Sequence, residues 1–261
     1  DFRWINDALD WLRNSGENDV YNPFTFTIYD GEYVESVNMI GLFLSLVGTN
    51  KENCIIKTYT NDYYNPPIDM AGRNNLQNLT IIADENATTP TNGVNNMPAY
   101  GIHFDVSARY ENLDWKVQGR SVVKNCRIIG KNQHAVGQGL WTDTFSIWDD
   151  CEFFSVRNSA FRSHSYMPSG AIQQKFLMRN CMLHNGGGEP PLVIQDPNIA
   201  GGNDSFDTVY SFQNNIAWND LDSANSNDLF WGHDLVNGGT LSGKIKLGKD
   251  SFGNNIPKLN F

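Results

Sequence analysis

Charge is scarce in this chain and basic charge scarcest: of 261 residues 18% are charged, with 19 Lys and Arg against 29 Asp and Glu, a formal net charge of −10. That balance excludes a nucleic-acid groove, which needs a basic stripe, and speaks against anionic membrane surfaces. No apolar run nears the roughly 18 residues of a membrane span. The longest, 39–47, has strand length. Cysteine is sparse: Cys54, Cys126, Cys151 and Cys181 form no CxxC pair and no zinc-like cluster. Helical periodicity is missing beyond residue 16. The chain opens at Asp1 with neither an initiator Met nor a signal-peptide pattern, which reads as an excised domain or a mature form.

What is present is asparagine, more than thirty of them, with 12% aromatic residues, too many rings for a disordered chain. The asparagines recur in a pattern: Asn or Asp, a small or apolar residue, any residue, then an apolar one. It reads Asn53-Cys54-Ile55-Ile56, Asn78-Leu79-Thr80-Ile81, Asn125-Cys126-Arg127-Ile128, Asp150-Cys151-Glu152-Phe153, Asn180-Cys181-Met182-Leu183 and, more weakly, Asn214-Asn215-Ile216-Ala217. The starts lie 25, 47, 25, 30 and 34 residues apart, and the long gap holds a Thr/Pro/Asn-rich loop insertion at 85–98. Short strands at such periods predict a stacked solenoid. Successive coils would lie about 4.8 Å apart. Asn suits their tight corners because it tolerates the left-handed backbone and its amide bridges coil to coil. The cysteines then read as reduced, buried members of an inward ladder.

The fold class is therefore all-β, a single-stranded right-handed parallel β-helix in one domain over 1–261. Ile5, Ala8, Leu9 and Leu12, with Phe2, fall at helical spacing and Asn14-Ser15-Gly16 stops the run, so 1–16 forms a helical cap over the first coil. Coils occupy 17–242, with strands near 25–29, 42–47 and 54–57, and 243–261 forms a terminal strand and tail.

These residues resemble the pectin methylesterase and pectate lyase superfamily. Thr27-Ile28-Tyr29-Asp30-Gly31-Glu32-Tyr33-Val34-Glu35 is similar to the esterases' I-x-x-G-x-Y-x-E entry, and Leu46-Val47-Gly48 with Cys54-Ile55-Ile56 to their second strand. The resemblance implies two carboxylates, an Arg and oxyanion glutamines. Gln138 matches the first glutamine, but Asn158 and Asn185/Gly186 stand where the acids belong and the Gly-Arg-Pro-Trp segment is missing. An amide neither attacks an ester nor exchanges the proton. Ala99-Tyr100-Gly101-Ile102-His103-Phe104-Asp105 and Val136-Gly137-Gln138-Gly139-Leu140 further resemble β-helical tail proteins of phages and prophages of Gram-positive bacteria. That resemblance implies a virion-surface or extracellular location, a homotrimer, other virion proteins as partners and a host cell-surface or cell-wall polysaccharide as ligand.

Several strands end in polar clusters. In register, Asp105, Asp143, His164, Asp196 and Asp234 would line one groove, and Asp143, Asp196, Asp234 and His164 are the catalytic candidates if the chain cleaves glycans. Acids on adjacent coils would lie about 5 Å apart, within the span used in glycoside hydrolysis. The plainer alternative is that exposed strand ends carry Asp and His for solubility and turn bonding. Trp141, Trp148, Trp231 and Tyr166, with Trp115 nearby, are candidate sugar platforms, joined by Asp105, His103, Arg162 and Gln195 as hydrogen-bonding partners. The same rings would also serve packing or subunit contacts. No cofactor is implied. Calcium is the one cation considered, through Asp149-Asp150 or Asp204 and Asp207. Asn-x-Ser/Thr occurs at Asn78, Asn86 and Asn203, as an Asn-rich chain would show by frequency alone.

Overall fold

The structure is a computed structural model and describes residues 1–59, 65–84, 100–104, 119–140, 144–156, 158–165, 175–186, 191–195, 209–219, 230–233, 240–242 and 258–260. The chain winds through three sheets in turn. Sheet A stacks β1 (Phe24–Ile28), β4 (Leu44–Gly48), β7 (Asn75–Gln77), β10 (Gly119–Lys124), β13 (Thr144–Asp149), β16 (Lys175–Arg179), β19 (Val209–Gln213) and β22 (Thr240–Ser242). Sheet B stacks β2 (Gly31–Val34), β5 (Cys54–Thr58), β8 (Thr80–Ala83), β11 (Arg127–Gly130), β14 (Glu152–Ser155), β17 (Met182–Asn185), β20 (Ile216–Asn219) and β23 (Lys258–Asn260). Sheet C stacks β3 (Val37–Asn38), β6 (Ile68–Asp69), β9 (Ile102–Phe104), β12 (Val136–Leu140), β15 (Phe161–Ser165), β18 (Leu192–Gln195) and β21 (Phe230–His233). All pairings between these strands are parallel except that of β23, which runs antiparallel to β20. This is the right-handed parallel β-helix that the repeat predicts. The strand expected at 243–247 lies outside the described residues.

Each sheet sends alternate side chains inward, and the parallel register stacks them in columns. Leu46, Leu76, Val123, Trp148, Met178 and Phe212 form sheet A's column. Ile56, Ile81, Ile128, Phe153, Leu183 and Ala217 form sheet B's. Val37, Ile68, Ile102, Val136, Phe161 and Leu192 form sheet C's, every one of them fully buried. Where the three columns hold rings, they lock edge to face: Trp148, Phe153 and Phe161 lie 5.0–5.6 Å apart pairwise.

The repeated motif is the corner from A to B. Asn78, Asn125, Asp150, Asn180 and Asn214 all take positive φ, between 48° and 56°. Asn is favoured there because its short polar side chain offsets the left-handed strain. Asn125 Nδ2 donates to Asn78 Oδ1 at 2.8 Å and Asn214 Nδ2 to Asn180 Oδ1 at 2.9 Å. Asp150 interrupts this ladder, since a carboxylate has no proton to pass on, and Asn180 donates instead to Asp149 Oδ1 at 3.3 Å. Asn78 of the first Asn-x-Ser/Thr match also donates to the Gly48 carbonyl, so its amide is spent on the corner. The residue after each corner turns inward: Cys54, Leu79, Cys126, Cys151, Cys181 and Asn215 form one buried column. All four cysteines are free thiols. Burial pushes the Cys126 and Cys181 thiols well above their ordinary range. Asn215 takes the cysteine position by bonding both ways, accepting from the Cys181 N–H and donating to the Met178 carbonyl at 2.9 Å each.

The first coil is plugged by α1 (Ile5–Ser15), whose Ile5, Ala8, Leu9 and Leu12 are buried. Glu35 reaches back from beyond β2 to accept from the Ile5 and Asn6 amides at 3.0 and 2.8 Å. Those amides have no partner within the helix, and a carboxylate suits the positive end of its dipole. Gly16, at φ 68°, closes the other end in the left-handed conformation. Phe2, placed on the buried face from spacing, instead lies before the helix and is half exposed, because the plug is complete without it.

Candidate functional site

The outer face of sheet C collects the chemistry. Its inward column is flanked by an outward row that the register fixes as Asn38, Asp69, His103, Gly137, Arg162 and Val193, and the backbone of Trp231 pairs with Val193. Two residues further along, Gly139, His164, Gln195 and His233 make a second row. Each row steps by one coil, about 4.8 Å.

At the centre of the first row His103 donates from Nδ1 to Asp69 Oδ1 at 2.9 Å, both side chains buried. Tyr100 stacks on His103 and also on His134, with centroids 5.7 Å apart in each case. Tyr100, His134 and Ser159 each precede an inward residue of sheet C by two positions, so the same coil geometry stacks them beside the row. The Ser159 carbonyl meets His134 Nδ1 at 3.0 Å, and Arg162 Nη1 lies 3.4 Å from His134 Nε2. A carbonyl only accepts and a guanidinium only donates, so His134 is the neutral Nδ1–H tautomer. Gly137 lies under the Tyr100 ring: a Cβ there would come within 2.6 Å of it, so any other residue would lift the tyrosine off both imidazoles. Asn158 donates from Nδ2 to Gln133 Oε1, and the Gln133 carbonyl accepts from Ser155 Oγ at 3.0 Å. The assembly is a pre-set array of donors, acceptors and one flat ring, held in the turns that lead into the strands of sheet C.

The register brings several expected residues together: His103 and Arg162 share the first row, His164 and Gln195 the second. His164 pairs with Gln195. Asp105, Asp143, Asp196, Asp234, Trp141, Trp115 and Tyr166 lie outside the described residues. Trp148 is no sugar platform. It is fully buried in sheet A's inward column, and its Nε1–H donates to Gln138 Oε1 at 3.1 Å. Both phases of 144–149 carry bulky apolar groups, Phe145 and Ile147 outward and Trp148 inward, so alternation in the sequence leaves the face undecided. Gln138 is likewise inside, donating to Ser146 Oγ at 2.6 Å, and is not placed to polarise a substrate on the outer face. His103 faces outward yet is covered, so it supports Tyr100 rather than meeting solvent. Asp149 is held by Arg179 at 2.8 Å, which draws its carboxyl below the usual range. Among the described residues, no group of His, Cys, Asp and Glu side chains is arranged to hold a metal ion. Sequence reading missed Tyr100, His134 and Asp69 as a cluster. Its signal was the shared offset of two residues before Ile102 and Val136.

No family model and no curated sequence matches the chain. Among solved structures it is similar to the pectin methylesterase from Yersinia enterocolitica, with a TM-score of 0.50 at 15% identity, over 89% of this chain and 82% of that one. It also aligns with the pectin methylesterase from carrot, with a TM-score of 0.44 at 10% identity, over 94% and 85% of the two chains. The likeness is one of fold. At such identities it carries no activity across.

Proposed function

We propose that the chain is a phage-type tail-spike, fibre or appendage domain that binds a host cell-surface or cell-wall polysaccharide along the outer face of sheet C. In this reading it works as a homotrimer among other virion proteins. The observation that carries the proposal is the outer face of sheet C, where the partly exposed Arg162 is fixed against the buried His134, itself stacked on Tyr100 over Gly137. A rigid row of hydrogen-bonding groups rising one coil at a time suits a polymer, whose weak sugar contacts sum along its length. Esterase chemistry is not part of the proposal. Asn158 spends its amide on Gln133, and Asn185 is fully buried, so neither supplies the acid that the resemblance would require.

Co-sedimentation with host capsule and cell-wall polymers tests this reading. Wild type is expected to pellet with one of them, and Arg162→Ala and Gly137→Ala to lose most of that binding while melting as cooperatively as wild type. Wild type left in the supernatant with every polymer would sink the proposal, and sedimentation equilibrium checks the trimer. A second reading is a polysaccharide depolymerase acting through the strand-end candidates Asp143, Asp196, Asp234 and His164. Mass spectrometry of the incubated polymers separates the two. Shortened products that vanish with Asp196→Asn, in a variant that still folds, would make the chain an enzyme, and intact polymer would leave a binding module.

A further inference from the structure

Solenoid ends are ordinarily closed by a cap with a polar outer face. This cap departs from that rule. Phe2, Trp4 and Trp11 are exposed by 50%, 42% and 46%. Positions 7, 11 and 14 fall on one stripe of α1, beside the face that Ile5, Leu9 and Leu12 bury, and Trp4 is the extended residue that opens the helix at the head of that stripe. The stripe therefore reads Trp4, Asp7, Trp11, Asn14: ring, carboxylate, ring, amide, all four exposed. Its two rings are braced. Arg3 lies over Trp4 at 5.4 Å, while Phe2 and Phe24 flank Trp11 at 5.9 and 6.0 Å.

We infer that this stripe is a second glycan site, one that takes an uncharged pyranose polymer across the cap. Two turns of helix separate the tryptophans by about 10 Å, the length of a disaccharide, so each ring meets every second sugar. Between them the Asp7 carboxylate accepts from a pair of sugar hydroxyls, and beyond them Asn14 both donates and accepts. Charge selects a neutral ligand. Arg13 pairs with Asp10 at 3.7 Å, and Asp7 is the one ionic group on the stripe, so an acidic sugar is disfavoured there. The whole chain, at −10, repels acidic polymers. The inference borrows from the proposed function only the kind of ligand, a glycan, and not the place where it binds.

Titration calorimetry of the whole chain with soluble cello-oligosaccharides and chito-oligosaccharides tests it, beside Trp4→Ala, Trp11→Ala, Trp11→Phe and Arg162→Ala. One of the two sugars is expected to bind wild type, with each Trp→Ala variant weaker by about tenfold. Trp11→Phe should retain most of the affinity, because a flat ring remains. The inference falls if neither sugar binds, or if only Arg162→Ala weakens the binding. That second outcome would leave the sheet C reading standing. It falls too if the Trp→Ala variants change the sedimenting mass of the protein without any sugar effect, which would make the stripe a contact between proteins. Loss in the Trp variants, with Arg162→Ala unaffected on host polymers as well, would overturn the sheet C reading and keep this one.

Discussion

The corner between sheets A and B and the outer row of sheet C belong to the same coils, yet they are built by opposite rules. At the corner one solution recurs: Asn78, Asn125, Asp150, Asn180 and Asn214 in the left-handed conformation, each followed by an inward residue that is cysteine in three of the five cases. On sheet C's outer row no two residues are alike, running Asn38, Asp69, His103, Gly137, Arg162 and Val193. A position that repeats is one whose environment is set by the same position above and below, so its work is to hold coil to coil. A position that varies is released from that demand, and there a solenoid has room for recognition.

The comparison breaks most readily in the interior that both regions share. Trp148→Ala should cost about 4 kcal/mol in urea unfolding, because it empties the ring cluster with Phe153 and Phe161 and leaves Gln138 Oε1 without its donor. A loss under half of that would mean the cluster is not the centre of the core. Next comes the corner itself. Asn180→Ala should lose about 2 kcal/mol, from left-handed strain and the lost bonds to Asp149 and Asn214. Asn180→Gly should lose about half as much, since glycine escapes the strain but not the lost bonds. Equal losses would show that only the amide matters at the corner.

On the variable side, Arg162→Ala should shift stability by less than about 1 kcal/mol while removing polymer binding, the reverse of the corner's behaviour. The buried thiols sharpen the contrast without any mutation. An aromatic disulfide reagent near pH 8 should leave native protein unlabelled and label all four cysteines in guanidinium, because burial raises Cys126 and Cys181 and hides every sulfur. Smallest is the Asp149–Arg179 pair, where the hydrogen bond from Arg179 lowers the folded carboxyl. Its stabilisation is present above the ordinary Asp range near 4 and fades as pH falls through the lower folded value. An acid titration of wild type against Asp149→Asn should therefore converge at the low-pH end.

Much of the fold was legible because the corner repeats as a short local string. Asn125-Cys126 and Asn180-Cys181 each announce a turn and an inward column without reference to any other coil. The capping helix was legible for the same reason, apart from Phe2. The site was harder to read, since its members meet only across coils of unequal length. Asp69 and His103 are 34 residues apart, and His134 and Arg162 are 28 apart. Trp148 reads as a platform because both phases of its strand are apolar, while Gln138 is singled out only by the resemblance to the esterases' first glutamine, which says nothing of the face it takes here.

By itself the sequence determined the solenoid, its corners, its plugged end and the reduced state of its cysteines, all of which follow from neighbours along the chain. Only the tertiary structure decided the register across sheet C. It set Tyr100 over Gly137 between two imidazoles, fixed His134 as one tautomer and turned Trp148 and Gln138 inward. The physical reason is that corner geometry is a local backbone preference. Which residues of successive coils face one another depends on the length of every intervening loop, and a slip of one residue would exchange the inner and outer faces.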